Sequence, residues 1–96
     1  MAPKGKAKGK GVRVTVRGQV QGVGFRYLTV ERAHELGVLG WVRNEDDGTV
    51  HAHLEGEAAA VDELVEWSRQ GPPKAQVDHV HVVTADVSGN WSTFED

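Results

Sequence analysis

Between Val12 and Ala85 the apolar residues change period in a fixed order, and that order limits the available folds more than any single residue does. "VRVTVRG" (Val12–Gly18) alternates apolar and polar residues, the pattern of a half-buried strand with Val12, Val14 and Val16 inward. "FRYLTVERAHELG" then sets Phe25, Leu28, Thr29, Ala33 and Leu36 near helical spacing, and Gly37 is a natural helix stop. "LGWVRN" (Leu39–Asn44) and "TVHAHLE" (Thr49–Glu55) read as strands joined by "EDDG", whose Asp-Gly pair signals a hairpin; Val50, Ala52 and Leu54 point inward. "EAAAVDELVEWSRQG" is a second helix with Ala58, Val61, Leu64, Val65 and Ser68 along one stripe, ended by Gly71 and Pro72-Pro73. "VDHVHVVTA" (Val77–Ala85) is a fourth strand, inward at Val80 and Val82, and "WSTF" (Trp91–Phe94) is a candidate short fifth.

The order is β-α-β-β-α-β in 96 residues, enough for one domain, and 39% apolar residues suffice for a two-layer core. Strands 2 and 3 form a hairpin, and each helix joins strands that a right-handed crossover leaves parallel but not adjacent. The compact solution is an α+β, ferredoxin-like two-layer sandwich: an antiparallel sheet in the order 4-1-3-2 with both helices on one face. Strands 1 and 2 then run the same way with strand 3 between them. Their C-terminal ends share one edge of the sheet, so the loop after strand 1 and Asn44 are expected about 10 Å apart, two strand spacings. Arg26 starts its helix at that same edge.

Composition excludes several chemistries. There is no cysteine, so disulfides, thiol catalysis and cysteine zinc sites are out. No apolar run approaches a membrane span and the N-terminus lacks the apolar core of a signal peptide, so a cytoplasmic protein is expected. Residues 1–10 carry Lys4, Lys6, Lys8 and Lys10 and no acid. They read as a mobile leader ahead of a domain at 11–96. Without those lysines the net charge of −3 becomes about −7, a poor match for the phosphate backbone of a nucleic acid.

"GQVQGVGFR" (Gly18–Arg26) admits two readings. One is a tight turn with a solvated arginine beyond it. In the other, Gly22 and Gly24 take positive φ and turn successive N–H groups inward onto a helix N-terminus, making an anion cradle. Arg26 would add a charged fork suited to phosphate oxygens. A cation beside the positive end of a helix is locally unfavourable, and a bound anion resolves the conflict. Tyr27 stands where a dinucleotide fingerprint needs glycine, and no Gly-Lys-Ser/Thr follows, so neither common glycine motif applies. Asn44, a neutral donor and acceptor, either orients a water at this edge or caps the hairpin. Glu45, Asp46 and Asp47 are better read as turn residues.

"GQVQGVGFR" and "GWVRNEDDGTVHAHLEG" together resemble the two signature motifs of the acylphosphatase family, and "GPPKAQVDHV" is similar to that family's entry into strand 4. The resemblance runs from about Val12 to Phe94. It implies hydrolysis of acyl phosphates to a carboxylate and inorganic phosphate, with no metal and no cofactor. It also implies roles: Arg26 binds the phosphate, Asn44 positions the nucleophilic water, and the backbone of Gly22, Val23, Gly24, Phe25 and Arg26 forms the cradle. The expected partners are a small acyl phosphate and inorganic phosphate as product or inhibitor, with no membrane or nucleic acid, and the chain acting as a monomer. The stretch after Trp91 is shorter than the family's usual final strand, and the lysine-rich leader has no counterpart in its motifs.

Three rivals remain. His51 and His53 on strand 3 and His79 and His81 on strand 4 could hold a metal, but Arg13, Thr15 and Arg17 of strand 1 fall between the pairs. Alternation already explains the spacing, with all four on solvated strand faces. An RNA-binding sandwich would need aromatic residues on strands 1 and 3, which have none. Phe25, Tyr27, Trp41, Trp67, Trp91 and Phe94 are instead expected in core and edge packing. The third is a non-catalytic domain that binds acyl phosphate or phosphate without hydrolysis. The presence of both Arg26 and Asn44 favours catalysis.

Overall fold

The computed structural model describes residues 9–96. β1 (Gly9–Gln19) leads through a glycine loop into α1 (Phe25–Leu36), followed by the hairpin of β2 (Leu39–Asn44) and β3 (Val50–Glu57). Then come α2 (Ala58–Gln70), β4 (Gln76–Ala85) and a two-residue β5 (Phe94–Glu95). The expected leader lies outside the described residues except for Gly9 and Lys10. Those two open β1, where Lys10 Nζ meets Asp62 Oδ1 at 2.6 Å.

The sheet order is β4-β1-β3-β2-β5. β1 pairs antiparallel with both β3 and β4, and β2 antiparallel with β3, which is the ferredoxin-like arrangement. The all-antiparallel sheet expected from the sequence is corrected at one edge: β5 adds parallel to β2, with Gly40 opposite Phe94 and Trp41 opposite Glu95, so the sheet is mixed. The segment 86–93 carries the chain from the β4 edge to the β2 edge. It must reverse direction once, and that turns β5 to run with β2.

The core lies between the helices and one sheet face. Val12, Val14 and Val16 of β1, Val42 of β2, and Val50, Ala52 and Leu54 of β3 are buried there, opposite Phe25 and Ala33 of α1 and Val61, Leu64 and Val65 of α2. Each fully buried valine, leucine or phenylalanine side chain contributes roughly 1.5–3 kcal/mol. Phe25 packs its ring 5.5 Å from that of Trp67, joining the helices above the end of β1. Thr29 is buried on the same stripe and is satisfied by donating to Phe25 O at 2.7 Å. Val80 and Val82 are only half-buried because β4 is an edge strand. Among the described residues no helix is long and apolar enough to cross a membrane.

Candidate active site

β1 ends where the chain must turn sharply into α1, and the turn is made by glycines. Gly22 has φ 77° and Gly24 φ 83°, both in the left-handed region, and nothing lies within 4 Å of where a Cβ would sit on either. Glycine is therefore required here by backbone conformation and not by crowding. Gly24 is also the N-cap of α1. It offers no capping side chain, and the first turn holds no acid. The N-terminal N–H groups of α1 thus face outward without a side-chain acceptor, at the positive end of the helix dipole.

Gly22, Gly24, Phe25, Arg26 and Asn44 line one cleft of about 170 Å³. This unites the loop and the end of β2 as the shared sheet edge requires. Val23 turns its side chain against the core, so only its main chain can serve the cleft. Arg26 is exposed, and among the described residues no carboxylate forms an ion pair with it. In the hairpin turn beside Asn44, other side chains bond to one another. Asp47 Oδ1 accepts from Thr49 N at 3.0 Å and Thr49 Oγ1 at 2.6 Å, which hold its carboxyl below the ordinary value. Glu45 is engaged by Arg43 at 2.8 Å.

Three neighbours of this site were not singled out from the sequence. Tyr27 lines the cleft and is 65% exposed, correcting its expected place in the packing. Its hydroxyl donates to Glu31 at 3.1 Å, and that carboxylate's bond and charge raise its pKa. Asp96 reaches the cleft from the end of β5. Gln21 reaches across from the loop to the hairpin turn. In the sequence Gln21 adjoins Gly22 and Tyr27 adjoins Arg26, and those adjacencies are the signals it offers for these two.

The histidines separate into two kinds. His79 and His81 are exposed and His51 is half-exposed, as the solvated-face reading requires. His53 departs from it: it is 4% exposed, beneath Arg13 and Trp41. Arg13 Nε donates to its Nδ1 at 2.7 Å, and the Trp41 ring stacks at 6.3 Å. Alternation assigns His53 to the open face correctly, but does not reveal that side chains cover it. Among the described residues no three potential metal-ligating side chains gather in one place.

A family model described as Acylphosphatase matches residues 12–95. The chain is 58% identical over 86 residues to an acylphosphatase of Rubrobacter xylanophilus, covering 90% of this chain and 78% of that one. It is 50% identical over 82 residues to an acylphosphatase of Paraburkholderia xenovorans, covering 85% and 84%. The structure of an acylphosphatase from Coxiella burnetii superposes with a TM-score of 0.91 at 35% identity, covering 98% of each chain.

Proposed function

Because the chain belongs to the acylphosphatase family, enzymes that hydrolyse acyl phosphates to a carboxylate and phosphate, we propose that Arg26, the Gly22–Arg26 backbone and Asn44 carry that reaction here. One observation supports this most: the uncapped N-terminus of α1, Arg26 and Asn44 line a single cleft.

An acyl phosphate is a mixed anhydride whose carboxylate leaves readily, so strong general acid help is unnecessary. Phosphoryl transfer of this kind depends on positioning and on stabilising charge over the equatorial oxygens. The backbone N–H groups and the Arg26 guanidinium hold the phosphoryl group and take up that charge. Asn44 holds a water on the side opposite the leaving oxygen. The water oxygen forms its bond to phosphorus as the bond to the acyl oxygen breaks, and the water's proton passes to a phosphoryl oxygen of the substrate. A carboxylate and inorganic phosphate result. No metal is assigned a part.

The partners that fit are a small acyl phosphate and inorganic phosphate as product and inhibitor. A monomer in the cytoplasm suits a cleft built within one chain and acting on a small metabolite. The test is benzoyl phosphate hydrolysis in EDTA by the wild type and Asn44→Ala. The wild type should turn over unimpaired by the chelator, and the variant should fall far below it. A fully active variant would remove the water-orienting role, and an EDTA-abolished wild type the metal-free mechanism. Phosphate binding with no turnover by the wild type would favour the non-catalytic binding domain.

A further inference from the structure

The two walls of the cleft come from strands that do not touch. The cradle follows β1, Asn44 ends β2, and β3 lies between them, so no ladder hydrogen bond fixes the gap. One side chain spans it. Gln21 Nε2 donates to Glu45 O at 2.8 Å and to Thr49 O at 3.0 Å, using both of its hydrogens. Gln21 immediately precedes Gly22, and Glu45 immediately follows Asn44. The link therefore joins the nearest backbone neighbours of the two functional elements.

Gln21 adds its two bonds to a hairpin turn that the backbone already closes. Thr49 O already accepts Glu45 N–H at 2.9 Å, and Glu45 O accepts Gly48 N–H at 3.1 Å. A carbonyl oxygen has two acceptor sites, and Gln21 fills the second on each. Gln21 is itself exposed and contributes no core packing, so its removal leaves the apolar interior unchanged.

We propose that Gln21 is a positioning residue that sets the distance between the phosphate cradle and Asn44, and so places the attacking water in line. The inference rests on the roles assigned above to Arg26 and Asn44. A shift of about 1 Å in such a gap can lower a rate by about 10²-fold while leaving the phosphate contacts intact. The effect should therefore fall on kcat and spare affinity.

The experiment compares Gln21→Met, which keeps length and loses both donors, with Gln21→Lys, which keeps donors for both carbonyls. Benzoyl phosphate kinetics, inhibition by inorganic phosphate and thermal melting are measured for each, in the wild-type and Asn44→Ala backgrounds. Gln21→Met should lower kcat about 10- to 100-fold, with KM and phosphate inhibition within about threefold. Gln21→Lys should recover most of that loss. In the Asn44→Ala background Gln21→Met should cost less than about threefold, because a residue acting through Asn44 has nothing left to position. An unchanged kcat, equal losses in both backgrounds, or no recovery with lysine would overturn the proposal. So would unfolding of both Gln21→Met and a second donor-free variant, Gln21→Glu, which would give Gln21 a purely structural role. If Asn44→Ala itself is fully active, the reading of the site fails and takes this inference with it. If Asn44→Ala is impaired and Gln21→Met is not, this inference alone falls.

Discussion

His53 Nε2 and Glu55 Oε2 stand 2.6 Å apart, two positions along β3, and both side chains are buried on the sheet face away from the helices. Arg13 donates to the other ring nitrogen, so Nε2 carries the hydrogen that Glu55 accepts. The same carboxylate takes Ser88 N at 2.9 Å, Ser88 Oγ at 2.8 Å and Gly89 N at 3.2 Å. Glu55 thereby fastens the segment that crosses from β4 and delivers Phe94 to the edge of β2 and Asp96 to the cleft.

Burial alone would raise the Glu55 pKa, but the hydrogen bonds from His53, Ser88 and Gly89 outweigh it and bring the carboxyl from its ordinary 4.5 to about 2. A value lowered in the folded state makes a contribution that is fully present above about pH 4.5 and is lost as pH falls through about 2. Glu55→Gln replaces one acceptor oxygen with a donor and leaves a buried hydrogen unmatched, at a cost of about 1–3 kcal/mol. Thermal melts from pH 7 to pH 2 should show the variant less stable at neutral pH and the difference narrowing toward pH 2. A constant gap across that range would place the carboxylate outside the acid response.

Gly24 and Gly40 separate two reasons for glycine. At Gly24 a Cβ meets nothing within 4 Å, so Gly24→Ala costs only the left-handed conformation, about 1–2 kcal/mol. The loop can relieve that strain by turning its N–H groups, so inhibition by phosphate should weaken while the fold persists. At Gly40 a Cβ would strike the backbone carbonyl of His53 on the paired strand. Gly40→Ala should therefore prevent β2 from pairing and lower the melting temperature far more than Gly24→Ala does. Comparable melts for the two variants would contradict this distinction.

Much of the site was legible because it rests on local rules. Gly22 and Gly24 mark a positive-φ bend, Arg26 falls in the first turn of the next helix, and the β-α-β-β-α-β order brings the ends of strands 1 and 2 to one edge. What was hidden depends on contacts that leave no periodic trace. Gln21 reaches the hairpin turn across at least 24 residues, and Ser88 reaches Glu55 across 33. Neither spacing marks a sequence. His53 alternates like any open-face residue, and only the side chains over it make it buried. The direction of β5 follows from the path of the 86–93 segment, which no pattern within "WSTF" records.

Asn44 distinguishes water orientation from charge. Asn44→Ala should lower kcat roughly 10²–10³-fold with KM within about threefold, as for a donor that acts mainly in the transition state. Asn44→Asp keeps the shape but puts a carboxylate across the cleft from the phosphoryl group. It should match the alanine loss in kcat and also raise KM, and that rise should shrink as pH falls and the carboxyl is protonated. Equal KM values for the two variants would show that Asn44 does not face the phosphate.

Arg26 tests the other wall. In the proposed role its guanidinium would present a planar fork to phosphate oxygens, and each charge-assisted hydrogen bond lost is worth about 1.5–3 kcal/mol, or roughly 10- to 150-fold. Arg26→Ala should therefore damage KM, kcat and inhibition by phosphate together, unlike any Gln21 or Asn44→Ala change. Arg26→Lys restores the charge without the fork, so it should recover affinity for phosphate more fully than kcat. The side chain is exposed, so salt screens its attraction over about 8–10 Å. Raising ionic strength should weaken phosphate inhibition of the wild type and Arg26→Lys, and affect Arg26→Ala much less. If all three respond alike, the anion is held by the α1 N-terminus and main chain, and the positive charge that matters lies elsewhere.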